Sequence, residues 1–282
     1  MSLRICMCST LILFFVGFSC QSQEKRYEYS KPEDFKKLLE AIREKTISPD
    51  EARYSFRNIM REAREMYTPA PYDSLNMSLV FPLRGSDYRS VGGKGKGFYA
   101  RHFDLFNHDI AKSHPAHDIF IYDPDKDEID NRRNEYIDIL SVTDGVVIAT
   151  ETDWTEEKGF RGGNYVWIYD LSSGGLWYYA HQRLVFVEEG QFVKQGNIIG
   201  EVGRTGLNAA SGRSDTHLHL MYLHIDDDFN PRPINHYEWL KKAKTIHKAE
   251  LPPEPRKKLQ AEVIKSQKQA YLPVTIRAEI KK

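Results

Sequence analysis

The sequence predicts a mainly β protein: a compact antiparallel sheet domain preceded by a helical hairpin and followed by a short helix and a basic tail. Three observations predict it. From about residue 79 the chain becomes a series of short apolar runs broken by Gly, Asp and Asn, the spacing of antiparallel strands. Before that point stand two helix start signals, each followed by an apolar stripe at helical spacing. After Pro231 only one short helical pattern remains before the composition turns Pro-rich and basic.

The segments divide at 1–19, 20–78, 79–235 and 236–282. Residues 1–19 read as an export signal, with Arg4 ahead of the apolar run Leu11, Ile12, Leu13, Phe14, Phe15, Val16. That run is too short to span a bilayer. All three Cys, at 6, 8 and 20, lie at this end. Cleavage before Cys20 leaves one Cys at the new N-terminus and no possible intrachain disulfide. The setting of Cys20 after Phe18 and Ser19 resembles a lipobox, with Gly17 where an aliphatic residue is usual, so a lipid anchor at Cys20 is expected, with plain secretion as the alternative. The expected location is the periplasm or cell envelope.

Residues 21–29 are polar and read as a tether. Ser30, Pro32 and Glu33 open a helix to about Glu44, with Phe35, Leu38, Leu39 and Ile42 as its stripe. Ser48-Pro49-Asp50-Glu51 opens a second helix to about Tyr67, with Glu51 at the capping-box position. The hairpin is expected to serve packing rather than inhibition. Strands are expected at 137–140, 145–149, 164–169, 176–180, 197–202 and 217–225, and a further strand at 119–122 with Asp118 leading into it. Residues 90–97 hold four Gly and two Lys and read as a mobile loop. They lack the strand–helix context of a phosphate-binding loop. Asp123, Asp125, Asp127 and Asp130 imitate a calcium loop, but Glu128 stands where the turn Gly belongs and no Glu closes the twelfth position. A short helix is expected at 237–243.

The net charge is zero, so no global field points to nucleic acid. From Lys241 to Lys282 there are 12 Lys/Arg against 4 Glu, a surplus of +8, which reads as a solvated basic tail. Contact with an anionic polymer or membrane headgroups is the sharper reading.

The chemistry gathers around Thr216-His217-Leu218-His219-Leu220. Histidines two apart on a strand project from one face, so one imidazole can bind a metal while the other works on water. The pair alone is weak evidence in a chain with ten His. Hydrolytic zinc sites use three protein ligands and leave a position for water. With no Cys beyond residue 20, these ligands must be His and carboxylate. Two His-x-x-x-Asp pairs exist, His114/Asp118 and His224/Asp228. The second lies extended on the strand of the His pair, with opposite parity. The first follows a bend at Pro115. The candidate set is therefore His114, Asp118 and His219 on zinc, with His217 beside them to accept a proton. His181, at the end of an aromatic strand, is a further candidate for hydrogen-bonding water or an oxyanion.

The order His114…Asp118, Tyr179-Ala180-His181, His217-x-His219 resembles the lysostaphin-type zinc endopeptidases of peptidase family M23. Residues 187–196 and 199–206, with Asp144-Gly145-Val146-Val147 and Gly163-Asn164-Tyr165-Val166, are similar to strands and turns of that family. The resemblance covers about residues 80–225. It implies zinc on His114, Asp118 and His219, His217 as general base, and His181 as the group that orients water and stabilises the transition state. It also implies a β core with a narrow groove and cleavage of peptide bonds in peptidoglycan. The departures are Ala116-His117 where Gly is frequent, Asp215 where Pro is frequent, and a long segment 86–113. Two competing readings follow. One is a silent relative that binds peptidoglycan or activates an amidase. The other is a biotinyl- or lipoyl-like carrier suggested by the 190–203 hairpin, which has no convincing modified Lys.

Overall fold

A computed structural model describes residues 29–67, 77–107 and 113–247. The expected export segment with its cysteines, most of the expected tether and the tail beyond residue 247 lie outside them. Chain order is α1 (Phe35–Glu44), α2 (Pro49–Tyr67), β1 (Ala116–Phe120), β2 (Asp138–Leu140), β3 (Gly145–Glu151), β4 (Asn164–Asp170), β5 (Leu176–Val185), β6 (Phe192–Val193), β7 (Ile198–Val202), α3 (Leu207–Ala210), β8 (His217–Ile225), β9 (Pro231–Pro233) and α4 (Tyr237–Lys242).

The capping box forms as the sequence predicts. Glu51 N–H donates to Ser48 Oγ at 3.3 Å, and Ser48 N–H donates back to the Glu51 carboxylate at 3.2 Å. Helix α1 stops at Lys45, whose left-handed backbone (φ 58°) closes the C-terminus. Both helices bury one stripe. Phe35 and Phe56 are wholly buried, and the Phe35 ring meets Trp167 of β4 edge-on at 5.5 Å. Helix α2 also holds the segment ahead of β1: Phe56 contacts Phe106 at 5.3 Å, and Arg53 pairs with Asp104.

Among the described residues the strands form one antiparallel sheet in the order β1-β8-β5-β4-β3-β6, with β7 paired to β2 and β5 and β9 paired to β8. Alternation gives the sheet two apolar faces. Ile119, Val147, Trp177, Tyr179, Leu218 and Leu220 face a core closed by Phe81, Leu83 and Leu240. Ala116, Trp167, Ala180, Met221 and Leu223 face the helices. Asp118 follows Ala116 by two on β1, and His217 and His219 precede Met221 with the same parity on β8. All three therefore lie on the helix-side face. No helix among the described residues is long and apolar enough to cross a membrane.

Two expectations change. The first strand is Ala116–Phe120, so Asp118 sits at its centre rather than leading into it, and Tyr122 lies beyond its end. The reason is pairing: β8 runs alongside from Met221 to His217, which fixes Asp118 opposite His219 and Phe120 opposite His217. The glycine-rich segment turns tightly through Gly92–Gly95, with Gly93 (φ 58°) and Lys94 (φ 52°) left-handed, and is tied by the bridges Val91–Ile119 to β1 and Tyr99–His114 to the chain just ahead of it. Gly92 packs on Phe120 so closely that a Cβ there would lie 2.6 Å from the ring.

Candidate metal centre

β1 and β8 bring the predicted residues together. Asp118 Oδ1 lies 3.2 Å from His114 Nε2, 3.0 Å from His219 Nδ1 and 3.5 Å from His217 Nε2. His181 joins from β5, its ring 4.8 Å from that of His217. A cleft of about 320 Å³ opens on these five side chains, with Arg161, Tyr178 and Asn208 among its other walls. His224 and the Asp228 pair take no part in it.

Strict alternation would turn His181 towards the same side as Trp177 and Tyr179, away from the cleft. Its backbone is left-handed (φ 62°), and β5 carries an extra residue between Tyr179 and Gln182 relative to β4. The bulge re-aims His181 beside Tyr178 and Ala180. There β5 also exchanges β8 for β7 as its partner. A left-handed non-glycine residue costs on the order of 1–2 kcal/mol, which the packed surroundings sustain. The chain passing behind it must be bare: Gly206 (φ +95°) would place a Cβ 2.9 Å from His181 Nδ1.

Backbone carbonyls fix three imidazoles. His114 Nδ1–H donates to Gly97 O at 2.9 Å, His217 Nδ1–H to Asp215 O at 2.7 Å, and His181 Nδ1–H to Thr205 O at 2.7 Å. Each neutral ring therefore presents Nε2 as a lone pair. Such second contacts are how proteins set the tautomer of metal-binding histidines. Asp215, where the resemblance departs from Pro, contributes only its carbonyl, which any residue supplies.

Electrostatics set His114 and Asp118 apart from His181 and His217. Hydrogen bonding to Asp118 raises the pKa of His114. Burial alone would raise that of Asp118, but the bonds from His114 and His219 outweigh it and hold the carboxyl well below the usual range. Burial, then the charges of His217 and His219, push His181 down to about 3. Burial also lowers His217. Burial pushes the Tyr178 phenol above its usual range, so the cleft wall keeps a hydroxyl donor.

The donor chemistry fits a divalent metal. With Nδ1–H committed to Gly97, the neutral His114 Nε2 is an acceptor facing a second acceptor, Asp118 Oδ1. Only a cation between them, a proton or a metal, makes that contact favourable. Two overlapping trios place ligand atoms within 4.8 Å of one another: His114/Asp118/His219 and His181/His217/His219. A third, Asp123/Asp125/Asp127, belongs to the calcium-like turn, where Asp123 is occupied by the backbone N–H groups of Asp127 and Glu128.

Sequence reasoning missed Arg161, Tyr178 as a donor, and the three carbonyls. Tyr178 carried a signal: it shares the parity of Ala180 on the strand leading to His181.

Residues 127–231 match the model of Peptidase family M23. That span contains His181, His217 and His219 and begins after His114 and Asp118. No curated protein sequence matches the chain. Among solved structures, a candidate M23 peptidase from Pseudomonas aeruginosa is 18% identical over 67% of this chain and 57% of its own, with a TM-score of 0.35. This chain thus spans little more than half of that protein. The catalytic domain of lysostaphin from Staphylococcus simulans is 22% identical over 46% of this chain and 80% of its own, with a TM-score of 0.32. A candidate glycyl-glycine endopeptidase from Ruminococcus gnavus is 19% identical over 78% of this chain and 86% of its own, with a TM-score of 0.40.

Proposed function

We propose that this chain, which carries a peptidase family M23 domain, is a zinc-dependent endopeptidase that hydrolyses peptide bonds in stem peptides or cross-bridges of peptidoglycan. The observation that carries this reading is the pair of facing acceptors, His114 Nε2 and Asp118 Oδ1, at 3.2 Å.

His114, Asp118 and His219 would hold the metal. Of the two trios at the cleft, theirs contains the carboxylate, whose charge offsets part of the cation's in a partly buried site. When bound, zinc supplies Lewis acidity and brings the ionisation of water close to neutral pH. His217, neutral and with Nε2 as an acceptor beside Asp118, accepts the proton of the attacking water. His181, also neutral with Nε2 as an acceptor, orients that water. It becomes a donor to the developing oxyanion only after it gains a proton. The Tyr178 hydroxyl is a donor from the start and supports the same charge. No observation favours the silent-relative reading, since every side chain the chemistry needs reaches the cleft.

The envelope location and the lipid anchor at Cys20 belong to the same proposal, because an anchored hydrolase meets peptidoglycan directly. The test is digestion of purified sacculi by the zinc-loaded protein, followed by separation of the soluble products. New peptide-cleaved muropeptides that disappear with a chelator support the reading. Folded, zinc-loaded protein that releases none overturns it.

A further inference from the structure

Phe120 shares the cleft-side face of β1 with Asp118, and its ring lies 5.3 Å from that of His217. The same ring lines a second pocket, of about 540 Å³, bounded by the 85–92 segment, Tyr122 and the turn bearing Arg132 and Arg133. This pocket lies next to the expected base, with one aromatic ring shared between them.

Its charges are unevenly matched. Arg89 forms an ion pair with Asp87. Asp130 is buried and spends Oδ1 on the backbone N–H groups of Arg132 and Arg133 and Oδ2 on that of Tyr122. Arg133 donates to the carbonyls of Arg84 and Gly85 and to Ser86 Oγ, all neutral acceptors. Arg132 lies 4.4 Å above the Tyr122 ring and has no carboxylate in ion-pair reach among the described residues. Three guanidinium groups thus face two carboxylates, and neither Arg132 nor Arg133 has an anionic partner there. A planar guanidinium held on an aromatic face is suited to a planar carboxylate.

We propose that this pocket is a carboxylate-binding subsite of the cleft, which selects a peptide bearing a free carboxylate within a residue or two of the scissile bond. The inference rests on the peptidase reading above and sharpens it. It favours stem peptides, which carry free acidic groups, over glycine bridges, which have none. It also gives a place to the glycine-rich segment. One end, at Gly97, fixes His114, and the other, at Ser90–Gly92, walls the subsite.

The test uses the full chain with its metal chelated, so that nothing is cut. Binding of a fluorescent stem peptide with free carboxylates is compared with that of its carboxamide analogue. The acid is expected to bind about tenfold tighter, the scale of one charge-assisted contact. Arg132→Gln removes the difference and Arg132→Lys keeps part of it. Equal binding of the two peptides, or a preference that survives Arg132→Gln, overturns the subsite. Zinc is then restored. Turnover without the acid preference leaves the peptidase reading standing and sinks the subsite. Preference without turnover does the reverse.

Discussion

His114 and Asp118 face each other through two acceptor atoms, Nε2 and Oδ1, 3.2 Å apart, while a carbonyl at Gly97 holds the only proton of the neutral imidazole. A lone pair opposed to a carboxylate oxygen is unfavourable unless a cation lies between them. The fold creates this opposition deliberately, since four residues of chain and a paired strand hold both side chains in place.

The first prediction concerns affinity. His114→Ala, Asp118→Ala and His219→Ala each lose stoichiometric zinc in a competition titration, by more than the roughly 10–100-fold that an outer contact is worth. Retention of wild-type zinc affinity in any of them would remove that residue from the set.

The second separates ligand from base. His217→Ala is expected to bind zinc while turnover of a peptide substrate falls by about 10²–10⁴. Zinc content measured on the same preparation decides it, and a variant without metal would contradict the roles given to His217 and His219.

The third uses the strained backbone at His181. Both His181→Ala and His181→Gly lose the imidazole, but only glycine is at ease at φ 62°. The glycine variant should therefore unfold at higher denaturant than the alanine variant, by about 1 kcal/mol, with turnover impaired in both. An alanine variant equal or superior in stability would show that the position carries no strain.

The fourth concerns pH. His236 is wholly buried with Nε2 unpartnered, and burial, then the charge of His117, lower its pKa to about 3 from an ordinary 6.5. The unfolded chain takes up the proton below about 6.5, while the folded chain refuses it until about 3. Stability from this group is full above that window and declines as pH falls through it, by at most about 1.4 kcal/mol per unit. Burial lowers His117 as well, so it acts in the same sense. The difference between urea midpoints at about pH 7 and pH 5 should shrink in His236→Phe, and the part that remains comes from His117, His181 and His217, which burial lowers in the same sense. An unchanged difference between the two midpoints would count against this account.

Much of this was legible in the sequence because it depends on periodicity and local chemistry. Period 2 put His217 and His219 on one face, and Ser48 and Glu51 announced the start of α2. The order of His114, Asp118 and His181 marked the rest of the cleft. Asp118 was misplaced relative to its strand because pairing with β8, a hundred residues away, sets where β1 begins. The carbonyls of Gly97, Thr205 and Asp215 left no trace, since a backbone oxygen has no residue identity. The direction of His181 was equally hidden. Alternation points it away from the cleft, and only the bulge in β5 reverses that.

Anomalous scattering at the zinc edge from crystals of the metal-loaded protein tests the central claim most directly. One peak in contact with His114 Nε2, the Asp118 carboxylate and His219 Nδ1, and clear of His181, is the predicted result. A peak held by His181, His217 and His219, or one seated among Asp123, Asp125 and Asp127 with the cleft empty, would contradict it.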